Sequence, residues 1–291
     1  MTIVVTGATG HLGRLTVESL LKRNVPAEQI VATGRRTDTI ADLAERGVQV
    51  RLADFDRPDT LPAAFAGASV VLLVSGTDIG NRVAGHGAAV AAARAAGAGR
   101  IAYTSIAYAD TTNLLLAQDH RATEELIRAS GLPWTFLRNS FYLEVYTDQI
   151  PTYLQHGAIV GAAGDGRISG ATRADFAEAA AAVLTGDGHQ GKAYELGGDE
   201  AFTLPALAEE LSVQAGRTIA YTNVTVAEHR ATLEGFGIPA PAAEVYADID
   251  RGIAEGLIYS PSGELRTLIG RPTTPLAQAI AEALARPGAA G

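Results

Sequence analysis

Gly7, Gly10 and Gly13 are the residues of this chain whose spacing most directly implies chemistry. They follow a short apolar, β-branched run, Ile3 to Thr6, and lead into Leu12, Leu15, Ser19 and Leu20, which share one face of a helix. Strand, tight glycine turn and helix in that order hold the pyrophosphate of a dinucleotide, because free backbone N–H groups and the helix dipole both face the anion. Gly7 permits the turn, Gly10 lets the backbone approach the phosphates, and Gly13 lets helix and strand pack closely. Gly7, Ala8, Thr9, Gly10, His11, Leu12 and Gly13 are therefore the expected phosphate loop. The competing reading is an ordinary turn, and the strand before it and helix after it weigh against that.

The choice of dinucleotide is legible further on. A free ribose 2′-hydroxyl is held by an acidic residue near the end of the second strand. Here that position reads Thr33-Gly34-Arg35-Arg36-Thr37, with no carboxylate before Asp38. A guanidinium offers a planar fork to phosphate oxygens, which suits a 2′-phosphate. NADPH is the expected cofactor, with Arg35 as its primary contact and NADH as a weaker substitute. Ser75, Gly76 and Thr77 end the fourth strand, where small residues would let the backbone reach the nicotinamide ribose or simply turn. Asp54 could sit beside the adenine or cap a helix within Asp54-Phe55-Asp56-Arg57-Pro58.

The proton chemistry is defined by an absence. Alcohol-oxidising short-chain dehydrogenases use Tyr-x-x-x-Lys, in which the lysine lowers the tyrosine pKa. After the fifth strand this chain has Tyr108 followed four residues later by Thr112, and no lysine lies between Lys22 and Lys192. Ser105 and Tyr108 could polarise a carbonyl or serve as loop hydrogen bonders. His120 lies at the start of a helix, where it could face the crevice as a proton donor near neutral pH or sit in a satisfied hydrogen bond.

These residues need a scaffold, and its elements alternate. Ile30–Thr33, Val48–Leu52, Val70–Val74, Ile101–Thr104 and Trp134–Leu137 read as strands two to six, with helical patterns between them. Apolar strands without alternation imply a parallel sheet covered on both faces, an α/β doubly wound (Rossmann) fold, with its ligand crevice at the strand C-terminal ends beside strand one. Residues 1–140 are expected to form the dinucleotide domain and 141–291 a smaller α/β substrate-covering lobe. A return segment near 168–198 would bring a helix, Asp175–Leu184, and a strand, Ala193–Leu196, back to the first domain.

Composition bounds the partners. The chain has 291 residues, 47% hydrophobic and 19% charged, with a formal net charge of −9 and no basic run. A nucleic-acid footprint is excluded on that basis. With no cysteine, disulfides, thiolate catalysis and cysteine-ligated metals are excluded as well, and no metal is expected. The phosphate-binding strand begins so early that no signal peptide is expected, and no segment reads as a membrane span, so cytoplasm is the default. A homodimer is compatible with the sequence.

The chain resembles the NmrA-like branch of atypical short-chain dehydrogenases, and within it the bacterial type 2 NAD(P)H:quinone oxidoreductases. The matching strings are Thr6-Gly-Ala-Thr-Gly-His-Leu-Gly13, Ile101-Ala-Tyr-Thr-Ser105, Phe136-Leu-Arg-Asn139 with Tyr142, Gly161-Ala-Ala-Gly-Asp-Gly166, Ala171-Thr-Arg-Ala-Asp175, Tyr194-Glu-Leu196 with Gly198-Asp199, and Leu268-Ile-Gly-Arg-Pro-Thr-Thr274. They span nearly the whole chain. The resemblance implies NADPH along the crevice, with Arg138, Asn139, Ser140, Phe141 and Tyr142 lining the cofactor and substrate cleft. It implies a flavin-free and metal-free reductase whose small-molecule partner is a quinone, with His120 and Tyr142 as candidate catalytic residues and Phe141 and Tyr142 as stacking surfaces. Relatives carry a lysine at the position of His120, so that lysine's role does not transfer. Three alternatives stay open: an NADP(H)-binding redox sensor without turnover, a triphenylmethane-dye-type reductase, and a sugar-nucleotide epimerase, which needs the missing Tyr–Lys pair.

Overall fold

The computed structural model describes residues 1–76, 78 and 81–286. In chain order the strands are β1 (Ile3–Val5), β2 (Ile30–Gly34), β3 (Gln49–Leu52), β4 (Val70–Leu73), β5 (Arg100–Ile106), β6 (Trp134–Asn139), β7 (Phe141–Tyr142), β8 (Ala158–Gly161), β9 (Gly170–Ala171), β10 (Lys192–Leu196) and β11 (Ala220–Asn223). Seven of them build one sheet in the order β10-β6-β5-β4-β1-β2-β3, and every neighbouring pair is parallel. Connections wind one way from β1 to β3 and the other way from β4 onward, so the topological switch lies between β1 and β4. The doubly wound α/β fold read from the sequence is the fold observed.

The helices are α1 (His11–Lys22), α2 (Ala41–Glu45), α3 (Leu61–Phe65), α4 (Arg82–Ala95), α5 (Ala117–Ala129), α6 (Glu144–Thr147), α7 (Ile150–His156), α8 (Arg173–Thr185), α9 (Leu204–Ala215), α10 (Val226–Gly235), α11 (Ala240–Ala254), α12 (Glu264–Ile269) and α13 (Leu276–Leu284). Alternation along β1 divides the interior. Ile3 and Val5 enter a core shared with Leu12, Val17 and Leu20 of α1 and Phe176 and Ala180 of α8. Val4 enters the opposite core, with Phe65 of α3, Ala89 and Ala93 of α4 and Ile127 of α5. A sheet buried on both faces keeps its central strands apolar throughout.

The ends of two strands run further than the apolar pattern reaches. β5 and β6 continue through the pairs Ser105↔Arg138 and Ile106↔Asn139, so polar side chains lie deep in the ladder. β4 instead stops at Leu73, because the Val74 N–H leaves the ladder and donates to Thr6 Oγ1 at 2.9 Å. β10 adds to the sheet beside β6, and α8 packs on α1. Beyond the segment 168–198, α12 also contributes to the first core, where its Leu265 and Ile269 lie with residues of α1 and α8. A third core gathers Tyr146, Ile159, Leu204, Leu207, Leu211, Ile253 and Ile280 of the C-terminal half, together with Ile106 and Leu114 from before residue 140.

Candidate dinucleotide and substrate site

The glycine turn joins β1 to α1 at the C-terminal edge of the sheet. Gly7 has φ +62°, a left-handed conformation that disfavours a side chain. A Cβ on Gly13 would stand 2.4 Å from the Gly7 carbonyl oxygen, so helix and turn touch backbone to backbone. Gly10, at the N-cap of α1, is different: a Cβ there would meet only Gly7 O, at 3.3 Å. No side chain caps the helix, which leaves the N–H groups of its first turn available to an anion. Thr9 rests against the end of β2, where a Cβ on Gly34 would be 2.5 Å from Thr9 Cγ2. Arg35 and Arg36 follow at once and are exposed. Nearby Arg14 and Arg46 are paired with Asp42 and Glu18, whereas Arg35 and Arg36 have no ion-pair partner among the described residues. Asp54 spends its Oδ1 on the Asp56 N–H at 3.1 Å, closing a local turn.

Side chains fix the backbone after β4. The Ser75 N–H donates to Thr104 Oγ1 at 2.9 Å and the Gly76 N–H to His86 Nε2 at 3.0 Å; Thr77 lies outside the described residues. The Thr123 hydroxyl donates to the Asp119 carbonyl at 2.8 Å. It therefore accepts from His86 Nδ1, 2.9 Å away, which leaves Nε2 as an acceptor. Burial, helped by the charge of Arg82, pushes the His86 pKa down to about 4. The sequence offers no signal for His86 beyond a lone imidazole in an Ala- and Gly-rich helix.

Of the two roles open to His120, its surroundings favour the satisfied hydrogen bond. The residue is 5% exposed on α5, with Nδ1 2.8 Å from the Tyr103 hydroxyl. Burial first, then the charge of Arg82, push its pKa down to about 3. At neutral pH it is an uncharged ring in a hydrogen bond, not an ionised proton donor.

The end of β6 divides the residues expected to line the cleft. The Arg138 guanidinium is engaged by carboxylates. Its Nε and Nη2 donate to Glu124 at 2.9 and 2.8 Å, and its Nη1 donates to Glu195 at 2.9 Å. Glu124 also takes Ser105 Oγ at 2.7 Å and Arg128 Nη2 at 3.0 Å. Ser105 thus belongs to this buried network, and Tyr108 donates its hydroxyl to the Tyr259 carbonyl at 3.2 Å. Ser140 is likewise occupied, its hydroxyl donating to the Ser169 carbonyl. Asn139 remains: its Nδ2 donates to the Tyr142 hydroxyl at 3.2 Å, and its buried Oδ1 has no donor among the described residues. Tyr142 packs edge-on against Phe176 at 5.4 Å, with Arg173 5.3 Å above its ring, and burial pushes its phenol pKa up. Phe141 packs with Tyr146 at 5.5 Å.

These groups fit a phosphorylated dinucleotide. An uncapped helix start and a glycine cradle suit its pyrophosphate, free guanidiniums suit a further phosphate, and the orphaned Asn139 oxygen suits an amide donor. No group of His, Asp and Glu able to hold a metal ion occurs among the described residues, and no helix among them is long and apolar enough to cross a membrane.

Residues 7–187 match a family model described as NAD(P)H-binding. The chain is 45% identical over 278 residues to quinone oxidoreductase 2 of Escherichia coli, covering 96% of this chain and 97% of that one. It superimposes on a crystal structure of NADPH-dependent quinone oxidoreductase complexed with NADPH from Escherichia coli with a TM-score of 0.93, covering 97% and 99% of the two chains. Triphenylmethane reductase of Citrobacter sp., complexed with NADP(H), gives 0.91 at 40% identity, over 97% and 100%.

Proposed function

This chain belongs to the NAD(P)H-binding family, and from that premise we propose that it is an NADPH-dependent reductase that transfers hydride to quinones. The acceptor class is carried by the 45% identity, over 96% of the chain, to a quinone oxidoreductase. The choice of NADPH over NADH is supported by the unpaired Arg35 and Arg36 at the end of β2.

The residue roles follow from chemistry. Gly7 to Gly13 present backbone N–H groups to the pyrophosphate, and Arg35 takes the 2′-phosphate. Ser75 and Gly76, held by Thr104 and His86, flank the nicotinamide ribose. Asn139 Oδ1 accepts from the carboxamide, and Tyr142 braces Asn139 from the other side. Bound NADPH supplies the hydride. The protein orients the acceptor flat against the nicotinamide and excludes water. A quinone fits this rim because it becomes a stabilised phenolate-like anion on accepting hydride. It needs no strong general acid, and neither a Tyr–Lys pair nor an ionised histidine stands ready here. The enzyme works without flavin or metal, in the cytoplasm, on a small-molecule partner.

A second reading is favoured by the 0.91 superposition on triphenylmethane reductase. Initial rates with a naphthoquinone and with a cationic triphenylmethane dye decide between them. Quinone turnover should dominate; dye turnover far above it would assign dye reduction to the same scaffold. NADPH binding with neither activity would make the protein a redox sensor.

A further inference from the structure

Arg82 opens α4 and turns its guanidinium inward. The side chain is 6% exposed, and Nε and Nη1 are buried with no hydrogen-bond acceptor among the described residues. The nearest paired carboxylate oxygen, Asp119 Oδ2, stands 3.8 Å from Nη1, beyond hydrogen-bond reach. The charge of Arg82 acts on both His86 and His120, whose rings flank Tyr103 at 5.5 and 5.8 Å. These are neutral neighbours, and they offer the cation no compensation. Arg138, equally buried, shows the usual solution, with Glu124 and Glu195 taking its N–H groups. A buried cation without its hydrogen bonds is costly, and such a group persists where a ligand completes it.

The position of Arg82 says what that ligand is. Arg82 lies one helical turn before His86, the residue that holds the Gly76 N–H at the end of β4. Asp119 and His120 stand at the start of α5, after β5. The cation therefore lies between the starts of α4 and α5, beside the histidine that holds the backbone after β4, and that backbone flanks the nicotinamide in the reductase reading, on which this inference rests. We propose that Arg82 is a catalytic residue whose free Nε and Nη1 bind the acceptor's carbonyl oxygen and carry the negative charge that hydride transfer places there. The C4–H bond of the dihydronicotinamide breaks and a C–H bond forms on the quinone ring. Two electrons leave the nicotinamide, which becomes a cation, and the displaced π pair comes to rest on the quinone oxygen. A proton from water then neutralises that oxygen, and tautomerisation gives the hydroquinone. A preorganised guanidinium in a water-poor site stabilises such an oxyanion without a proton donor.

The test uses Arg82→Gln and Arg82→Lys, with folding checked by circular dichroism. Menadione reduction should fall about a hundredfold in kcat/KM in Arg82→Gln, with NADPH affinity retained and Arg82→Lys intermediate. Binding of 4-nitrophenol to the NADP+ complex, read by phenolate absorbance, gives an arm independent of turnover. Its pKa should be lowered on wild type and on Arg82→Lys, and not on Arg82→Gln. Undiminished menadione reduction by Arg82→Gln, or an equal nitrophenol pKa on wild type and Arg82→Gln, would overturn the assignment. Wild-type protein that binds NADPH and reduces no quinone would overturn the quinone reading instead, and the nitrophenol titration would still decide whether Arg82 holds an anionic oxygen. If Arg82→Gln fails to fold, the comparison of wild type with Arg82→Lys carries both arms: unchanged kcat/KM in Arg82→Lys, or an unlowered nitrophenol pKa on wild type, would refute the proposal.

Discussion

Gly10 and Gly13 look alike in a glycine pattern and differ in what a side chain would meet. At Gly13 a Cβ strikes the Gly7 backbone at 2.4 Å, whereas at Gly10 it points past Gly7 O at 3.3 Å into the space proposed for the pyrophosphate. Gly10→Val should therefore fold with a native circular dichroism spectrum and lose NADPH binding by calorimetry. Gly13→Val should lower the thermal midpoint before binding is considered. Normal NADPH binding by Gly10→Val would reduce the motif to a turn. At the end of β2, Arg35→Ala should weaken NADPH by about tenfold to hundredfold, the worth of a charge-assisted hydrogen bond, and leave NADH little changed; equal effects on the two cofactors would count against a 2′-phosphate contact. The sequence marks these residues because the chemistry lies in residue type and local spacing. It does not mark Arg82 or His86, whose significance depends on which neighbours are missing and which loop is held.

Elements explain why other expectations shifted. The family resemblance implies a place in the cleft for Arg138, the last residue but one of β6. Its guanidinium is drawn inward by Glu124 on α5 and Glu195 on β10, and both partners are distant in sequence. Replacing Arg138 by Gln leaves Glu124 buried with half its donors gone, so a loss of about 3–5 kcal/mol is expected in urea unfolding. A cofactor ligand would instead lose NADPH affinity with unchanged stability, and that result would contradict the network. The string Leu268 to Thr274 is structural in the same way. Thr274 N donates to Asp175 at 3.0 Å, Arg271 pairs with Asp175 at 2.8 Å, and Thr273 N donates to Asp199 at 3.0 Å. The strand and helix periods were legible; the long-range pairing that saturates their polar ends was not, because spacing along the chain carries no record of it.

At the scale of the molecule, burial of two neutral imidazoles couples stability to pH. The pKa values of His86 and His120 are depressed to about 4 and about 3 in the folded chain. The unfolded chain takes up protons first as pH falls below about 6.5. Stability is therefore fully present above that pH and is lost on acidification towards the folded values, by up to about 1.4 kcal/mol per pH unit per imidazole. Burial raises the Glu144 and Glu195 pKa values and acts in the opposite sense at lower pH. The useful window is thus about pH 7.5 to 5.5. Urea midpoints should fall across it, and less steeply in His86→Asn; a flat profile would contradict buried neutral rings. The account as a whole is tested most directly by following NADPH absorbance with purified protein and menadione, with no flavin or metal added. It predicts NADPH oxidation stoichiometric with quinone reduction, faster than with NADH. Tight NADPH binding with no oxidation by any quinone would contradict it.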